Sequence, residues 1–235
     1  MKKGKLYLIP SFLSESEYTK VFPANNLKII ESLDEFIVEE IRTARRFLRK
    51  IGFTKSFDKV EFHILNKHTE LSLVPEFLNN IDKGKSIGLL SEAGTPCVAD
   101  PGAEIVKMAH YKNTEVVPLV GPSSILLALM ASGFNGQNFT FHGYLPIDKK
   151  DRIKNIKVLE QNVFKLNQTQ IFIETPYRNN QMFRSIIDNC SKDILLCIAC
   201  NITSNDEGIK TKTIAQWKKS IPDLHKKPVV FLLYK

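Results

Sequence analysis

The chain has 235 residues, 43% of them hydrophobic, enough to bury one large core or two smaller ones, and two are expected. Its formal charge of +8, from 33 basic against 25 acidic residues, favours anionic partners, with nucleic acid first and an acidic small molecule second. No apolar run approaches the ~18 residues needed to span a bilayer, and the opening MKKGKLYLIP is too short and too soon polar for a signal peptide, so a cytoplasmic protein without membrane contact is expected.

In chain order, Lys5 to Ile9 reads as a short apolar strand closed by Pro10 and Ser11. A variable polar stretch leads into NNLKIIESLDEFIVEEIRTARRFLRKIG, where Ser32 and Glu35 have capping-box spacing but Phe36, Ile37 and Val38 are consecutive strand formers. The strand reading is preferred: strand Glu35 to Glu39, then helix Arg42 to Ile51, stopped by Gly52. That helix carries Arg42, Arg45, Arg46, Arg49 and Lys50, which is either a solvated basic face or a phosphate-binding patch.

Val60 to Leu65 is a further strand, followed by the loop Asn66 to Glu70 and a helix to about Ile81. His68 in that loop either orients or deprotonates a substrate or is simply exposed. Ser86 to Leu90 is a buried strand between Asp82-Lys83-Gly84 and a Gly/Pro-rich loop. In that loop Gly94 permits close backbone approach or φ > 0, while Pro96 and Pro101 stiffen it. A loop at the carboxyl end of a parallel strand is where an α/β protein holds its ligand, and the stretch 91–102 is the candidate centre of function.

Helix Ala103 to His110 and strand Glu115 to Val120 follow, then the turn Gly121-Pro122-Ser123-Ser124 into helix Ile125 to Ala131. The serines suit an N-cap, and the open amides of the first turn suit a polar ligand. The first half is therefore expected to be a mainly parallel sheet covered by helices. From Phe139 the rhythm changes: strand Phe139 to Leu145, helix Asp148 to Leu166, strand Gln170 to Ile173, helix Tyr177 to Asp188, strand Ile194 to Cys200, a polar loop to Gly208, a helix containing Trp217, and strand Pro228 to Leu233. The fold class is α/β with two α/β domains, 1–120 and 121–235, and a cleft between them that collects the loops.

The four cysteines do not form a disulfide framework. Cys197 and Cys200 make a CxxC, but on a strand their side chains point to opposite faces, and no second Cys or His pair at zinc spacing accompanies them. Core packing is the preferred reading, and no metal site is expected.

Ser91-Glu92-Ala93-Gly94-Thr95-Pro96, Asp100-Pro101-Gly102, Gly121-Pro122-Ser123-Ser124, Ala131-Ser132-Gly133 and Phe141-His142-Gly143-Tyr144-Leu145-Pro146 occur in this order along nearly the whole chain. In these motifs the sequence resembles the tetrapyrrole (corrin/porphyrin) methylase superfamily. Within it, the sequence is most similar to the branch that methylates the ribose 2'-hydroxyl of a cytidine in small-subunit ribosomal RNA.

The resemblance implies S-adenosylmethionine as cofactor, a homodimer, and ribosomal RNA or the small ribosomal subunit as partner. It implies cofactor contacts from Pro10, Ser91, Glu92, Ala93, Gly94, Val98, Ser123, Ser124, Ile173, Glu174 and Pro228. Glu39 and Arg42 align with an acidic-and-arginine motif on the substrate side, His68 with a histidine-containing turn, and Glu174, Pro176 and Arg178 with a further motif of the branch. Arg42, Arg45 and Arg178 are then the substrate-binding candidates, and Glu39 and His68 the candidate bases that take a ribose proton.

The sequence also departs from the family pattern. The first loop reads Pro10-Ser11-Phe12-Leu13, without a second proline or a glycine. Glu92 stands for a usual aspartate, Cys97 for a usual glycine, Tyr177 for a common histidine, and Asn201-Ile202-Thr203-Ser204 for a Glu-Leu-Thr-Lys pattern. Two alternatives to RNA methylation therefore stay open at this point: methylation of a tetrapyrrole, and cofactor binding without catalysis.

Overall fold

Strands β1 (Lys5–Ile9) and β4 (Ile87–Leu90) lie side by side and parallel, Leu6 against Ile87 through Ile9 against Leu90. They form the centre of the first of two compact units, Met1–Ser123 and Ser124–Lys235, in a computed structural model that describes residues 3–15, 18–66 and 68–235. Lys67, in the loop that carries His68, falls outside the described residues.

The first unit adds α1 (Ala24–Glu31), β2 (Glu35–Val38), α2 (Ile41–Lys50), β3 (Glu61–Ile64), α3 (Ala103–Tyr111) and β5 (Glu115–Pro118). All its strands are parallel, in the order β3-β2-β4-β1-β5. Buried side chains alternate between the two faces. Phe36, Val38, Ile9 and Leu90 pack with Phe47 and Leu48 of α2, whereas Ile37, Leu6, Ile87 and Leu89 pack with Ile105 and Leu78. With both faces covered, β4 and, after Glu35, β2 are apolar runs, which is what makes EFIV and IGLL legible as strands. The chain leaves β1 towards β2 and leaves β4 towards β5, in opposite directions across the sheet. Adjacent strands whose connections diverge in this way open a crevice at their carboxyl ends.

The structure departs from the sequence reading in several places. An α-helix, α1, occupies part of the stretch left unassigned, and the expected helix up to Ile81 is a 3-10 helix, Leu71–Leu78, with Pro75 inside it. Proline has no amide to donate and its ring crowds the preceding turn, so a regular α-helix is not available there.

The second unit contains α4 (Ser124–Ser132), β6 (Phe139–Tyr144), α5 (Lys149–Leu166), β7 (Thr169–Ile173), α6 (Asn179–Asn189), β8 (Leu195–Cys200), β9 (Gly208–Thr213), α7 (Ile214–Lys219) and β10 (Val229–Tyr234). Its sheet runs β6-β7-β10-β8-β9, with β6 and β7 parallel and the other pairs antiparallel. The side chain of Asp148 accepts the Lys150 and Asp151 amides to start α5, and Asn167 ends it in the left-handed conformation. Strand β9 is a correction: its GIKTKT sequence is too polar to read as a strand, yet it forms the sheet edge, where only one side is bonded and lysines are tolerated. All four cysteines are free; Cys200 packs against the main core of this unit, while Cys197, fully buried, pairs across to Thr211 and Leu232 from the other face of β8.

Candidate active site at the carboxyl edge of the first sheet

The loops that follow β1, β4 and β5 are tied together by backbone. The Gly94 carbonyl accepts both the Ser11 amide (2.9 Å) and the Ser91 hydroxyl (2.5 Å), which pins the first loop to the central one. Gly94 has φ +73°, and a Cβ there would stand 3.0 Å from Leu13 Cδ2 and 3.3 Å from the Pro122 carbonyl oxygen. A Cβ on Gly121 would fall 2.2 Å from Pro10 Cγ, so the β5 turn reaches the first loop only because that residue has no side chain. Pro10, Ser91 and Gly94 are buried at this junction, while Glu92, Ala93 and Val98 are exposed, Val98 at 46%.

The loop closes on Asp100, whose Oδ1 accepts the Cys97 and Gly102 amides at 2.8 Å each. Cys97 (φ 67°) and Ala99 (φ 60°) are both in the left-handed region. The cysteine that replaces a usual glycine therefore sits where glycine is at its least strained. Burial pushes the Cys97 thiol up to about 12, with the Asp100 charge adding to it.

Three carboxylates share this edge. Glu39, directly after β2, is half-buried and lines a small niche with Asp100, Val38 and Leu65. Burial raises its pKa, and the negative charges of Asp100 and Glu92 raise it further. Asp100 is itself held above the usual carboxylate range by burial, against the lowering effect of its two amide bonds. Glu92 Oε1 lies 2.6 Å from the Thr43 hydroxyl on α2. That hydroxyl is also 2.9 Å from the Glu40 carbonyl, and its single proton serves one acceptor at a time.

Helix α2 begins beside this edge because the Glu40 carboxylate caps the Arg42 amide at 3.1 Å. Its arginines separate by direction. Arg42 is exposed in the first turn, and Arg46 lines a cavity over the edge. Arg45 turns elsewhere, its guanidinium 5.2 Å from the Phe57 ring centre and 5.3 Å from that of Phe62. His68 is exposed, with its backbone amide on Asn66 Oδ1 at 2.9 Å.

In the second unit, Ile173 ends β7 and Glu174 is buried directly after it. Glu174 Oε1 accepts from Arg178 Nε (3.0 Å), Arg178 Nη2 (2.6 Å) and the Thr175 amide (2.6 Å), so this carboxylate and this guanidinium satisfy one another. Ser124 opens α4 after Ser123, and Pro228 is exposed before β10, its carbonyl accepting the Asn201 amide. Asn201 (φ 52°) and Thr203 (φ 72°) make the departed 201–204 stretch a tight left-handed loop.

Sequence reasoning did not find the Thr43–Glu92 bond or the unpartnered hydroxyl of Ser11, because both depend on which loops face one another. It also missed the cluster at the opposite end of the strands, where Glu35, Glu61 and His63 bring ligating atoms within 4.8 Å. There the two oxygens of buried Glu35 are bonded to His63 Nε2 (2.8 Å) and Asn80 Nδ2 (3.0 Å).

No family model matches the chain. Among solved structures, the methyltransferase CobJ superposes with a TM-score of 0.63 over 99% of both chains, and cobalt precorrin-4 methyltransferase CbiF with 0.60 over 98% of this chain and 94% of that one, each at 14% identity. The fold is thereby the one that these two proteins share. Ribosomal RNA small subunit methyltransferase I of Buchnera aphidicola subsp. Schizaphis graminum is 31% identical over 99% of this chain and 78% of its own length. The proteins of that name from Vibrio cholerae and Bacillus subtilis are 31% and 35% identical, over 81% and 74% of this chain and 63% and 56% of theirs. The chain belongs to the ribosomal RNA small subunit methyltransferase I family.

A methyl donor built on a nucleoside and an amino acid needs backbone it can approach closely and an apolar surface for its base. Gly94 itself is buried against Leu13 and Pro122 and pins the loop, while the exposed backbone of Glu92 and Ala93 beside it and the exposed Val98 fit that requirement.

Proposed function

We propose that the protein is an S-adenosylmethionine-dependent methyltransferase that modifies a ribose 2'-hydroxyl in small-subunit ribosomal RNA, acting as a homodimer in the cytoplasm. The observation that carries this reading is Glu39, a half-buried carboxylate whose proton affinity is raised by burial and by its acidic neighbours Asp100 and Glu92, lining a niche with Asp100 and Gly102 of the central loop in a chain of this family. When bound, S-adenosylmethionine supplies a methyl group already activated by its sulfonium.

The chain's own work is then to hold both partners and to accept one proton. The backbone from Ser91 to Gly94 and the side chain of Val98 take the cofactor. The Glu39 carboxylate accepts the proton of the ribose hydroxyl, and its raised pKa makes the ionised form a better acceptor than an ordinary glutamate. A positioned base of this kind contributes about 10²–10⁴ in rate. Arg42, exposed three residues after Glu39, holds a substrate phosphate, so Arg42→Ala is expected to weaken substrate use while sparing cofactor affinity. Arg45 and Arg178 serve less directly, since one stacks on Phe57 and Phe62 and the other clamps Glu174. No described helix is long and apolar enough to cross a membrane. The homodimer is what the resemblance implies, and the cytoplasmic setting is the expectation from the absence of a long apolar run in the sequence.

The test is incubation with methyl-labelled S-adenosylmethionine and small ribosomal subunits from a strain lacking the protein, followed by mass-spectrometric mapping. Label at one ribose is expected. Label absent from RNA and present on a tetrapyrrole would overturn the proposal.

A further inference from the structure

The positive charge of the chain lies almost wholly in one half. Residues 124–235 hold 16 basic and 9 acidic residues, a net +7, whereas residues 1–123 hold 17 and 16, a net +1. The arginines of α2 are thus offset within their own unit. In the second unit the excess is concentrated on α5, at 18 residues the longest helix among the described residues. Its buried side is Arg152, Ile156, Leu159, Glu160 and Val163. At roughly 100° per residue, Lys150, Lys154, Lys157 and Lys165 fall within an arc of about 80° on the opposite side. All four are exposed, and the row extends about 22 Å along the helix axis.

Helix stability alone would not select this row. Lys149 and Lys150 stand in the first turn, at the positive end of the helix dipole, and Lys150 and Lys154 are like charges four residues apart. Both arrangements destabilise a helix. Of the four lysines only Lys157 has a carboxylate partner among the described residues, Glu160 Oε2 at 3.1 Å. Asp151 is the one exposed carboxylate of the helix. A polyanion laid along the row relieves both costs. A local preference given up on an exposed face points to a use for that face.

We propose that the exposed face of α5 is a docking surface for the phosphate backbone of small-subunit ribosomal RNA. The inference rests on the RNA reading above and adds to it the element that holds the RNA. Lysine ammonium groups are point charges without the planar fork that reads a base edge, so a row of them suits sequence-independent phosphate contacts. The helix starts at a fixed point, its Asp148 cap, and presents its charges in a fixed order. Val158 and Phe164, 46% and 55% exposed, flank the row, and an anionic lipid surface is the other polyanion that attracts a face of this kind. Two apolar side chains are a small membrane anchor beside four cations, which favours RNA over lipid in a chain of this family.

The test measures binding of the full-length protein to small ribosomal subunits from a strain lacking it, over a series of salt concentrations. Lys150→Gln, Lys154→Gln and Lys165→Gln together are expected to lower the slope of log affinity against log salt by about 2–3, and to weaken binding about tenfold near roughly 0.1 M salt. Glutamine is a good helix former, so the denaturant midpoint and the affinity for S-adenosylhomocysteine are expected to stay unchanged. A control that removes the same charge from exposed sites of the first unit, Lys59→Gln, Lys83→Gln and Lys85→Gln, is expected to change the slope by less than about 1. Equal loss in the two triple variants would make net charge rather than α5 responsible and overturn the proposal. An unmoved slope in the α5 variant would overturn it too. So would wild-type binding that is tighter to phosphatidylglycerol vesicles than to subunits and is lost in the α5 variant. Because binding needs no methyl transfer, subunits that bind through α5 and stay unlabelled would sink ribose methylation alone. Ribose label together with an unmoved slope would sink the α5 surface alone.

Discussion

The buried charges of the second unit and the carboxyl edge of the first sheet handle their polar groups in opposite ways. In the second unit, buried charge is satisfied within the unit: Glu174 is clamped by Arg178, and Arg152, 2% exposed, donates to the Ser185 hydroxyl at 3.1 Å and the Ile147 carbonyl at 2.7 Å. At the carboxyl edge of the first unit, Ser11 has an unpartnered hydroxyl, Glu39 and Asp100 hold protons more tightly than ordinary carboxylates, and Cys97 and Ala99 are held in a left-handed conformation. Satisfied groups stabilise a fold and resist further partners. Unsatisfied or strained ones, kept in place by a rigid sheet, are where a ligand gains most.

The sharpest way to break this contrast is Gly94→Arg. Its φ of +73° and the neighbours at 3.0 and 3.3 Å leave no room for a side chain, so cofactor affinity by calorimetry is expected to vanish. Unchanged affinity would remove the junction from the site. Asp100→Asn is a milder probe, since the amide oxygen of asparagine still accepts from Cys97 and Gly102 while the charge that raises the Glu39 pKa is gone. With Glu39 as base, activity falls as pH drops through its pKa, so this substitution is expected to move the acid limb of the pH–rate profile to lower pH. An acid limb that stays in place would show that another group sets it.

Smaller effects should follow from the strained loop. Ala99→Gly relieves a left-handed alanine that is already exposed, and a gain of roughly 0.5–1 kcal/mol is expected in the denaturant midpoint at constant slope. With its thiol pushed up to about 12, Cys97 is expected to react very slowly with a thiol reagent at pH 8; fast labelling would mean that the loop opens.

Much of the first unit was legible because its chemistry is local. Apolar runs such as IGLL, bounded by Gly and Pro, define strands whichever partners they find, and the loop from Ser91 to Gly102 carries its turn residues in sequence. Helix α1 was not legible, because only Asn26 and Ile30 are buried in it and no side chain caps its start. Strand β9 was missed because a polar edge strand has no apolar face to show. The arginines of α2 share a helix and a charge, and nothing in their spacing distinguishes Arg46 at the cavity from Arg45 on Phe57 and Phe62. That distinction depends on β3 and its preceding turn, which are remote in the chain. The same holds for Ser11, whose missing partner is visible only once the first and central loops face each other.

The most direct test of the central claim is single-turnover methyl transfer to small ribosomal subunits by Glu39→Gln, with cofactor affinity measured in parallel. A rate reduced by about 10²–10⁴ with cofactor affinity retained is the expected result, since glutamine keeps the shape of the side chain and cannot accept the ribose proton. A variant that transfers methyl at the full rate would contradict the assignment of Glu39 as the base, and with it the claim that the raised carboxylate at the first sheet's edge does the chemistry.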